Sequence, residues 1–139
     1  INNLRSLFSY VSQDCFIFSG TILENITYGS DGPSIQKVID MIKSHKVFSF
    51  INDFQNGIDT QVGEKGLTLS GGEKQRISIM RAILKDSEIL ILDEFLSALD
   101  QENKELINDL INKIAKDKIT ILISHVVPSG ININHYIKL

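Results

Sequence analysis

Three clusters of polar residues follow apolar stretches of this sequence, and their types suit chemistry on a phosphate group. Asp93 and Glu94 end the stretch EILILDE, His125 ends the stretch ITILISH, and Gln13 follows the shorter stretch SLFSYV. Carboxylates are the side chains that Mg²⁺ prefers in proteins. A carboxylate or an imidazole can also move a proton or donate to a phosphate oxygen, so these clusters are candidate catalytic groups.

EILILDE and ITILISH predict buried strands of a parallel sheet, and SLFSYVSQD predicts a short strand from Leu7 to Val11. Ligands of α/β sheets bind beyond the carboxyl ends of the strands. If the three strands are neighbours, an amide, two carboxylates and an imidazole meet at one edge. We then expect Asp93 to hold Mg²⁺, usually through water, Glu94 to orient or deprotonate an attacking water, and His125 to donate to a terminal phosphate oxygen.

Plainer roles fit the same residues. Asp93 and Glu94 can cap the helix that follows them. His125 can be a strand-end histidine with ordinary hydrogen bonds and no catalytic role. The residues by themselves leave these alternatives open.

The stretch LSGGEKQR, residues 69–76, is a second candidate phosphate site. Ser70 and Glu73 have the spacing of a capping box, which satisfies backbone N–H groups at a helix start. Gly71 and Gly72 lie inside the box, although each glycine costs a helix roughly 1 kcal/mol relative to alanine. Bare N–H groups and the helix dipole would attract a phosphate, and glycines would let it approach. The alternative is a poorly formed helix start in a surface loop.

The surrounding pattern predicts the elements that position these groups. Helical spacing is found in SIQKVIDMIKSH with Ser34 as its cap, in KVFSFINDF, in residues 70–85 and in SALDQENKELINDLINKIAKD, and HYIKL predicts a further strand. We therefore expect an α/β protein in which residues 1–13 end a core strand, residues 14–86 form a helical subdomain and residues 87–139 complete the core.

Composition sets limits on function. The 139 residues are 42% apolar and 22% charged, as in one globular domain, and no apolar run approaches the length of a membrane span. The net charge of −3 gives no sign of a basic nucleic-acid surface, so no nucleic-acid partner is expected. The single cysteine, Cys15, has no partner for an internal disulfide and is expected to pack.

Together the motifs resemble the nucleotide-binding domain of ATP-binding-cassette (ABC) transporters. LSGGEKQR, ILILDE, SALD and ISH follow one another in the family's order, and YVSQDCFIFSGTILENITYG resembles the Q-loop region of the exporter branch. The stretch VGEKG is similar to the exporter X-loop. This resemblance covers nearly the whole chain, and it implies a partial P-loop NTPase (RecA-like) core with parallel strands plus the ABC helical subdomain.

The resemblance implies an ATP site with Mg²⁺. Gln13 matches the Q-loop glutamine, which touches Mg²⁺ and senses the γ-phosphate. Asp93 and Glu94 match the Walker B aspartate and the catalytic glutamate, and His125 matches the switch histidine of the H-loop. Residues 126–134, VVPSGININ, depart from the family's usual continuation.

The resemblance also implies a second nucleotide-binding domain as a partner. Residues 70–73 match the signature, which binds the γ-phosphate of ATP held by that domain. Asp100 ends the D-loop SALD at the dimer interface, where it is also expected to contact the nucleotide. We expect Glu73 to serve the helix cap, because a carboxylate beside a phosphate is unfavourable. Phe95 and Leu96 depart from the family's small and hydroxyl residues, and altered packing is expected there.

A P-loop of the form G-x-x-x-x-G-K-[ST] does not occur in the sequence. This loop supplies most of the phosphate cradle, and in the family it precedes the Q-loop. We therefore expect the chain to be the C-terminal part of such a domain, unable alone to bind ATP tightly or to hydrolyse it. The intact parent is expected to power export from the cytoplasmic face of the membrane, joined to a transmembrane domain.

Two other functions stay open at this point. A soluble ABC-type ATPase of DNA repair or translation also carries a signature and Walker B, although TILENITYG and VGEKG suit docking to a membrane domain. A structural or interaction module without catalysis is the third possibility. The exported substrate is not predicted.

Overall fold

The computed structural model describes residues 6–64, 66–135 and 137. Within them the elements in chain order are β1 (Phe8–Val11), β2 (Gly20–Thr21), α1 (Ile22–Thr27), α2 (Ile35–Ser44), a 3-10 helix (Lys46–Asp53), a shorter one (Gly57–Asp59), β3 (Gln61–Val62), α3 (Gly71–Lys85), β4 (Ile89–Asp93), α4 (Gln101–Ile114), a 3-10 turn (Ala115–Asp117) and β5 (Ile119–Ile123). No helix among the described residues is both long and apolar enough to cross a bilayer.

The three strands that precede the polar clusters form one parallel sheet in the order β1-β4-β5. Tyr10 pairs with Ile91, and Ile91 pairs with Ile121, so the strands run in register toward the same edge. The prediction of neighbouring parallel strands, and with it the α/β class, is confirmed.

The sheet is buried on one face and exposed on the other. Along β4, Leu90 and Leu92 are buried, while Ile119, Ile121 and Ile123 of β5 are 64%, 46% and 49% exposed. The prediction that ITILISH forms a fully buried strand is therefore wrong for the described residues. β5 lies at the sheet edge, and a continuous apolar run does not reveal whether both faces are covered.

Helix α3 packs against β1 and α1, and its apolar face fills the centre of the core. Residues Ile77, Met80 and Leu84 of this helix are all buried, and Ile83 is partly buried against the core. The core continues through the 3-10 helix, where Phe48 and Ile51 are almost fully buried.

Side-chain caps fix where the helices begin. Ser34 accepts from the backbone N–H of Lys37 at the start of α2, as predicted. Helix α4 starts at Gln101 rather than at Ser97, because Asp100 accepts the N–H of Asn103 and is its N-cap.

Two short strands within residues 14–86 have no counterpart in the prediction. β2 and β3 pair antiparallel, Gly20 with Val62 and Thr21 with Gln61. Strands of two residues carry no detectable alternation, so no sequence pattern indicates them. The predicted strand HYIKL falls mostly on residues 136, 138 and 139, which lie outside the described residues.

Candidate functional site

The carboxyl ends of β4 and β5 bring Glu94 and His125 together. The backbone N–H of His125 donates to Oε1 of Glu94 at 2.7 Å, and the N–H of Glu94 donates to the carbonyl of Ile123 at 3.0 Å. Glu94 has a positive φ of 45°, an uncommon conformation for a residue with a side chain. This turn aims the carboxylate across the sheet edge toward β5 instead of continuing the strand.

Asp93, one residue earlier, is held from the opposite side by β1. The hydroxyl of Tyr10 donates to Oδ2 of Asp93 at 2.8 Å. That hydrogen bond and the negative charge of Asp93 raise the pKa of the Tyr10 hydroxyl, so the bond is kept at neutral pH. The N-cap of the next helix is Asp100, so neither Asp93 nor Glu94 caps that helix.

The donor set at this edge fits a magnesium ion that is held mainly by phosphate and water. No group of three or more His, Cys, Asp or Glu side chains that could hold a metal occurs within the described part of the chain. Mg²⁺ usually keeps several waters and takes one or two carboxylates plus substrate phosphates. Asp93 suits that arrangement, because it is half-buried and its Oδ1 takes no part in the hydrogen bond with Tyr10.

The start of α3 has the capping box that LSGGEKQR predicts. The backbone N–H of Ser70 donates to Oε2 of Glu73 at 2.7 Å, and the N–H of Glu73 donates to Oγ of Ser70 at 3.3 Å. The predicted cap role of Glu73 is confirmed. Its carboxylate is turned back on the helix start and is engaged there.

The two glycines inside the box differ in their surroundings. Gly71 is exposed, and a Cβ there would meet only the Ala98 side chain at 3.4 Å. A Cβ on Gly72 would lie 3.1 Å from the backbone oxygen of Ala98. Gly72 therefore permits a close approach between α3 and the D-loop, whereas Gly71 leaves the helix end open.

Gln75 is buried at 1% exposure one turn into the same helix, and sequence reasoning did not assign it a role. Its Oε1 accepts the backbone N–H of Ala98 at 3.0 Å. Its Nε2 lies 3.4 Å from both the carbonyl of Glu94 and Oγ of Ser97. The sequence carried no periodic signal for Gln75, because the same face of the helix also holds Gly71, Gly72 and Ser78.

Gln13 lies in a cleft of about 290 Å³ between the loop after β1 and the start of α3. The lining comprises Gln13, Asp14, Cys15, Phe16, Gly71, Lys74, Gln75 and Ala98. The structure thus brings Gln13 to the signature helix rather than into the Glu94–His125 contact. Burial raises the pKa of the neighbouring Cys15 thiol, in keeping with its predicted packing role.

The loop after Gln13 is fastened to α3 by Asn25 and Arg81. Asn25 is fully buried, and its side-chain amide both accepts from the N–H and donates to the carbonyl of Phe18. Arg81 donates to the carbonyl of Asn25 at 2.7 Å and to that of Phe16 at 3.3 Å. The loop conformation therefore depends on the same helix that begins at the two glycines.

Asp100, predicted to bind the nucleotide across an interface, is the N-cap of α4 in this chain. Its Oδ1 accepts the N–H of Asn103 at 2.9 Å, and its Oδ2 accepts from the Asn103 side chain at 2.8 Å. These two hydrogen bonds hold the pKa of the Asp100 carboxyl below its usual value. A contact with nucleotide remains a prediction for this residue.

The segment after His125 is held by two asparagines of α4 that sequence reasoning missed. Asn108 donates to the carbonyl of Ser129 at 2.8 Å, and Asn112 donates to that of Gly130 at 2.6 Å. Asn112 also accepts the N–H of Asn132 at 2.9 Å. The only signal was their spacing of one helical turn, which places both on one side of α4.

Comparison with known proteins agrees with these features. The family model described as "ABC transporter" matches residues 1–97. The chain is 44% identical over 130 residues to "ABC transporter B family member 1" of Dictyostelium discoideum, covering 94% of this chain and 14% of that protein. It is 45% identical over 123 residues to "Putative multidrug export ATP-binding/permease protein YgaD" of Bacillus subtilis, covering 88% of this chain and 21% of that protein.

A solved structure titled "Structure of a bacterial Atm1-family ABC exporter with ATP bound" matches with a TM-score of 0.82 and 41% identity, covering 89% of this chain and 22% of the other. The chain thus spans between about a seventh and about a fifth of the length of these relatives. Its sheet order, its capped glycine helix and its sequence together show that the chain belongs to the ABC transporter family, as an exporter-type nucleotide-binding domain.

Proposed function

We propose that this chain is the part of an exporter's ATPase domain that carries the hydrolytic carboxylate and the signature helix. The observation that carries the proposal is the hydrogen bond between Glu94 and the backbone of His125 at the end of two parallel strands. It places a carboxylate and an imidazole-bearing residue at the edge where ligands of α/β sheets bind. The exporter names of the relatives support the same reading.

In this proposal Glu94 is the general base and His125 a donor to the terminal phosphate. Oε1 of Glu94 accepts from the His125 backbone, so its other oxygen can orient and deprotonate a water. The exposed imidazole of His125 stands on the same turn and can donate to a phosphate oxygen as negative charge develops there.

Asp93 and Gln13 are the proposed Mg²⁺ ligands, with Asp93 acting largely through water. Bound Mg²⁺ would neutralise charge on the phosphates. Tyr10 keeps the Asp93 carboxylate in one orientation by donating to Oδ2. Gln13 lines the cleft and is exposed, so its side chain can reach a magnesium ion that lies beyond the end of β1.

The proposed role of residues 70–73 is to bind the γ-phosphate of ATP held by a second nucleotide-binding domain. The exposed N-terminus of α3, opened by Gly71 and backed by its capping box, suits a phosphate. Asp100 would lie at the same dimer interface. The partners are thus a second such domain and a transmembrane domain, with the assembly at the cytoplasmic face of the membrane.

The sequence carries no P-loop, so we propose that the 139-residue chain alone does not hydrolyse ATP. The test compares Mg²⁺-dependent ATP turnover by the purified chain with that of the complete protein that contains it. Turnover by the complete protein and none by the chain is the expected result. Steady turnover by the chain, free of contaminating ATPase, would refute its inactivity, and an inactive complete protein would refute the ATPase function.

A further inference from the structure

Gln75 is a buried polar residue, and within the described part of the chain its side-chain hydrogen bonds go to one short turn. It is 1% exposed, and its helical neighbours Ile77, Ile79 and Met80 are fully buried and apolar. A polar side chain in such surroundings costs free energy unless its hydrogen bonds are made. The partners of Gln75 therefore show what the residue stabilises.

Those partners are Glu94, Ser97 and Ala98, the turn between β4 and the cap of α4. Ala98 donates its N–H to Oε1 of Gln75 at 3.0 Å, the shortest of the contacts. The carbonyl of Glu94, which also accepts the N–H of Ser97 at 3.1 Å, lies 3.4 Å from the Gln75 amide nitrogen. One side chain thus bonds both ends of the turn that starts at Glu94.

The conformation of Glu94 needs such support. Its φ of 45° is sparsely populated for a residue with a Cβ and persists only where the surroundings hold it. The N–H of Glu94 donates to the carbonyl of Ile123, and the carbonyl of Glu94 faces the amide of Gln75. The peptide units before and after Glu94 are therefore both held in place. The direction of the carboxylate follows from this backbone setting.

The start of α3 touches the same turn directly. Gly72 lies against the backbone of Ala98 so closely that a Cβ would come within 3.1 Å of its oxygen. The bare helix end and the Glu94 turn are therefore joined at two places, through Gly72 and through Gln75. A displacement of the helix end must move the turn, or break the Gln75 contacts.

We propose that Gln75 is a positioning residue that couples the phosphate-facing end of α3 to the orientation of Glu94, an inference that rests on the ATPase function proposed above. When the partner domain places the phosphate of its ATP against the start of α3, the position of α3 is fixed. The hydrogen bonds of Gln75 then fix the orientation of Glu94 as well. Gln75 is buried, and its side-chain hydrogen bonds within the described residues go to the Glu94 turn. Its loss therefore impairs the chemical step and leaves ATP binding in place.

The test uses the complete protein with Gln75→Leu, which keeps the approximate size and removes every hydrogen bond. Gln75→Glu keeps the acceptor for Ala98 and removes the amide donor. Gln36→Leu is the matched control, because Gln36 is an exposed helical glutamine whose side chain donates to Asp40 on the same helix. The measurements are kcat, KM for ATP, and hydrogen exchange of the Ala98 amide.

Gln75→Leu is expected to lower kcat by about tenfold to a hundredfold, the scale of a misplaced catalytic group, with KM for ATP nearly unchanged. Ala98 then exchanges faster. Gln75→Glu is expected to keep Ala98 protected and to recover part of kcat, and Gln36→Leu to match the wild type.

Wild-type kcat in Gln75→Leu, with a faster-exchanging Ala98 amide, would overturn the coupling role. The coupling role would also be overturned if both Gln75 variants lost activity through a higher KM or a lower thermal stability while kcat stayed unchanged. If Gln75→Leu does not fold, Gln75→Met replaces it, because its flexible apolar side chain fills similar space and also makes no amide hydrogen bonds, and wild-type kcat there with a faster-exchanging Ala98 amide overturns the role. An inactive wild-type protein would overturn the ATPase proposal itself, a result distinguishable from the failure of Gln75 alone.

Discussion

Glu94 reaches across the sheet edge to the backbone of His125, at 2.7 Å, and so links the ends of β4 and β5. Because the contact uses a backbone N–H, it does not depend on the protonation of the imidazole. The side chain of His125 is left exposed and available. The two residues can thus act on a ligand together while only one of them is restrained.

The first prediction separates the charge of Glu94 from its shape. In the complete protein Glu94→Gln keeps an oxygen that accepts from His125 but cannot take a proton from water. We expect turnover to fall by about 100-fold or more, the usual contribution of a general base, with ATP binding retained. Turnover is measured by phosphate release and binding by nucleotide titration.

Glu88→Gln is the control, since Glu88 is exposed just before the same strand and pairs with Ile119 through its backbone. Its turnover should equal that of the wild type. If Glu94→Gln hydrolyses ATP at the wild-type rate, another residue is the base.

The second prediction compares the two glycines of the signature. Gly71→Ala meets only an ordinary contact and gains helix propensity, so the chain should become more stable by up to about 1 kcal/mol. Gly72→Ala pushes against the Ala98 backbone and should be less stable than Gly71→Ala. Urea unfolding of the two variants measures this difference.

The same pair has a different effect on activity. If the helix end seats a phosphate, Gly71→Ala should lower ATP turnover of the complete protein even though it stabilises the fold. A stabilised Gly71→Ala protein with undiminished turnover would show that the open helix end has no part in ATP hydrolysis.

The third prediction concerns acid stability and the ion pair between Lys118 and Asp86, 2.6 Å apart. The hydrogen bond from Lys118 lowers the pKa of Asp86 in the folded chain. The stabilisation is therefore complete above the unfolded pKa of about 3.9 and is lost as the pH falls through the lower folded value. Asp86 is largely exposed, so solvent screening limits the effect to below about 1 kcal/mol.

Asp86→Asn tests this pair without disturbing the backbone, because asparagine tolerates the left-handed conformation with φ 52° that Asp86 adopts. The difference in urea midpoint from the wild type should be largest near neutral pH and vanish in acid. Asp109→Asn, an exposed change on α4, should show no such trend. A pH-independent difference would rule out the charge as the cause.

The fourth prediction concerns the segment after His125. Asn112→Ala removes the bonds to Gly130 and Asn132, so residues 129–132 should exchange amide hydrogens faster while α3 stays protected. Exchange measured by mass spectrometry on the whole chain tests this. Lys113→Ala, the exposed neighbouring residue, should leave the exchange of this segment unchanged.

Much of the fold was predictable because the signals were local and strong. The apolar run before Asp93 fixed the central strand, and Ser70 with Glu73 fixed a helix start from two residues alone. The start of α4 was predicted too early, because SALD precedes the helical pattern directly and Asp100 was not recognised as its cap. The prediction that β5 is buried failed because coverage of a sheet face depends on residues far away in the chain.

The only part of the site that could be predicted was the set of polar residues at the ends of the strands. Asp93, Glu94 and His125 follow from the rule that parallel strands present their carboxyl ends together. Tyr10 and Gln75 could not be found that way, because their roles come from contacts 83 and 23 residues away in sequence. Such long-range hydrogen bonds leave no periodic trace, and only the coordinates reveal them.

The exposed isoleucines of β5 have a practical consequence for the chain handled on its own. Ile119–Ile123 is an uncharged segment on the sheet edge whose residues are β-branched except for Leu122, and its outer backbone groups face no strand among the described residues. An edge of this kind is a template for a strand from another molecule. Purified at high concentration, the 139-residue chain should aggregate through this strand, and Ile121→Lys should keep it in solution.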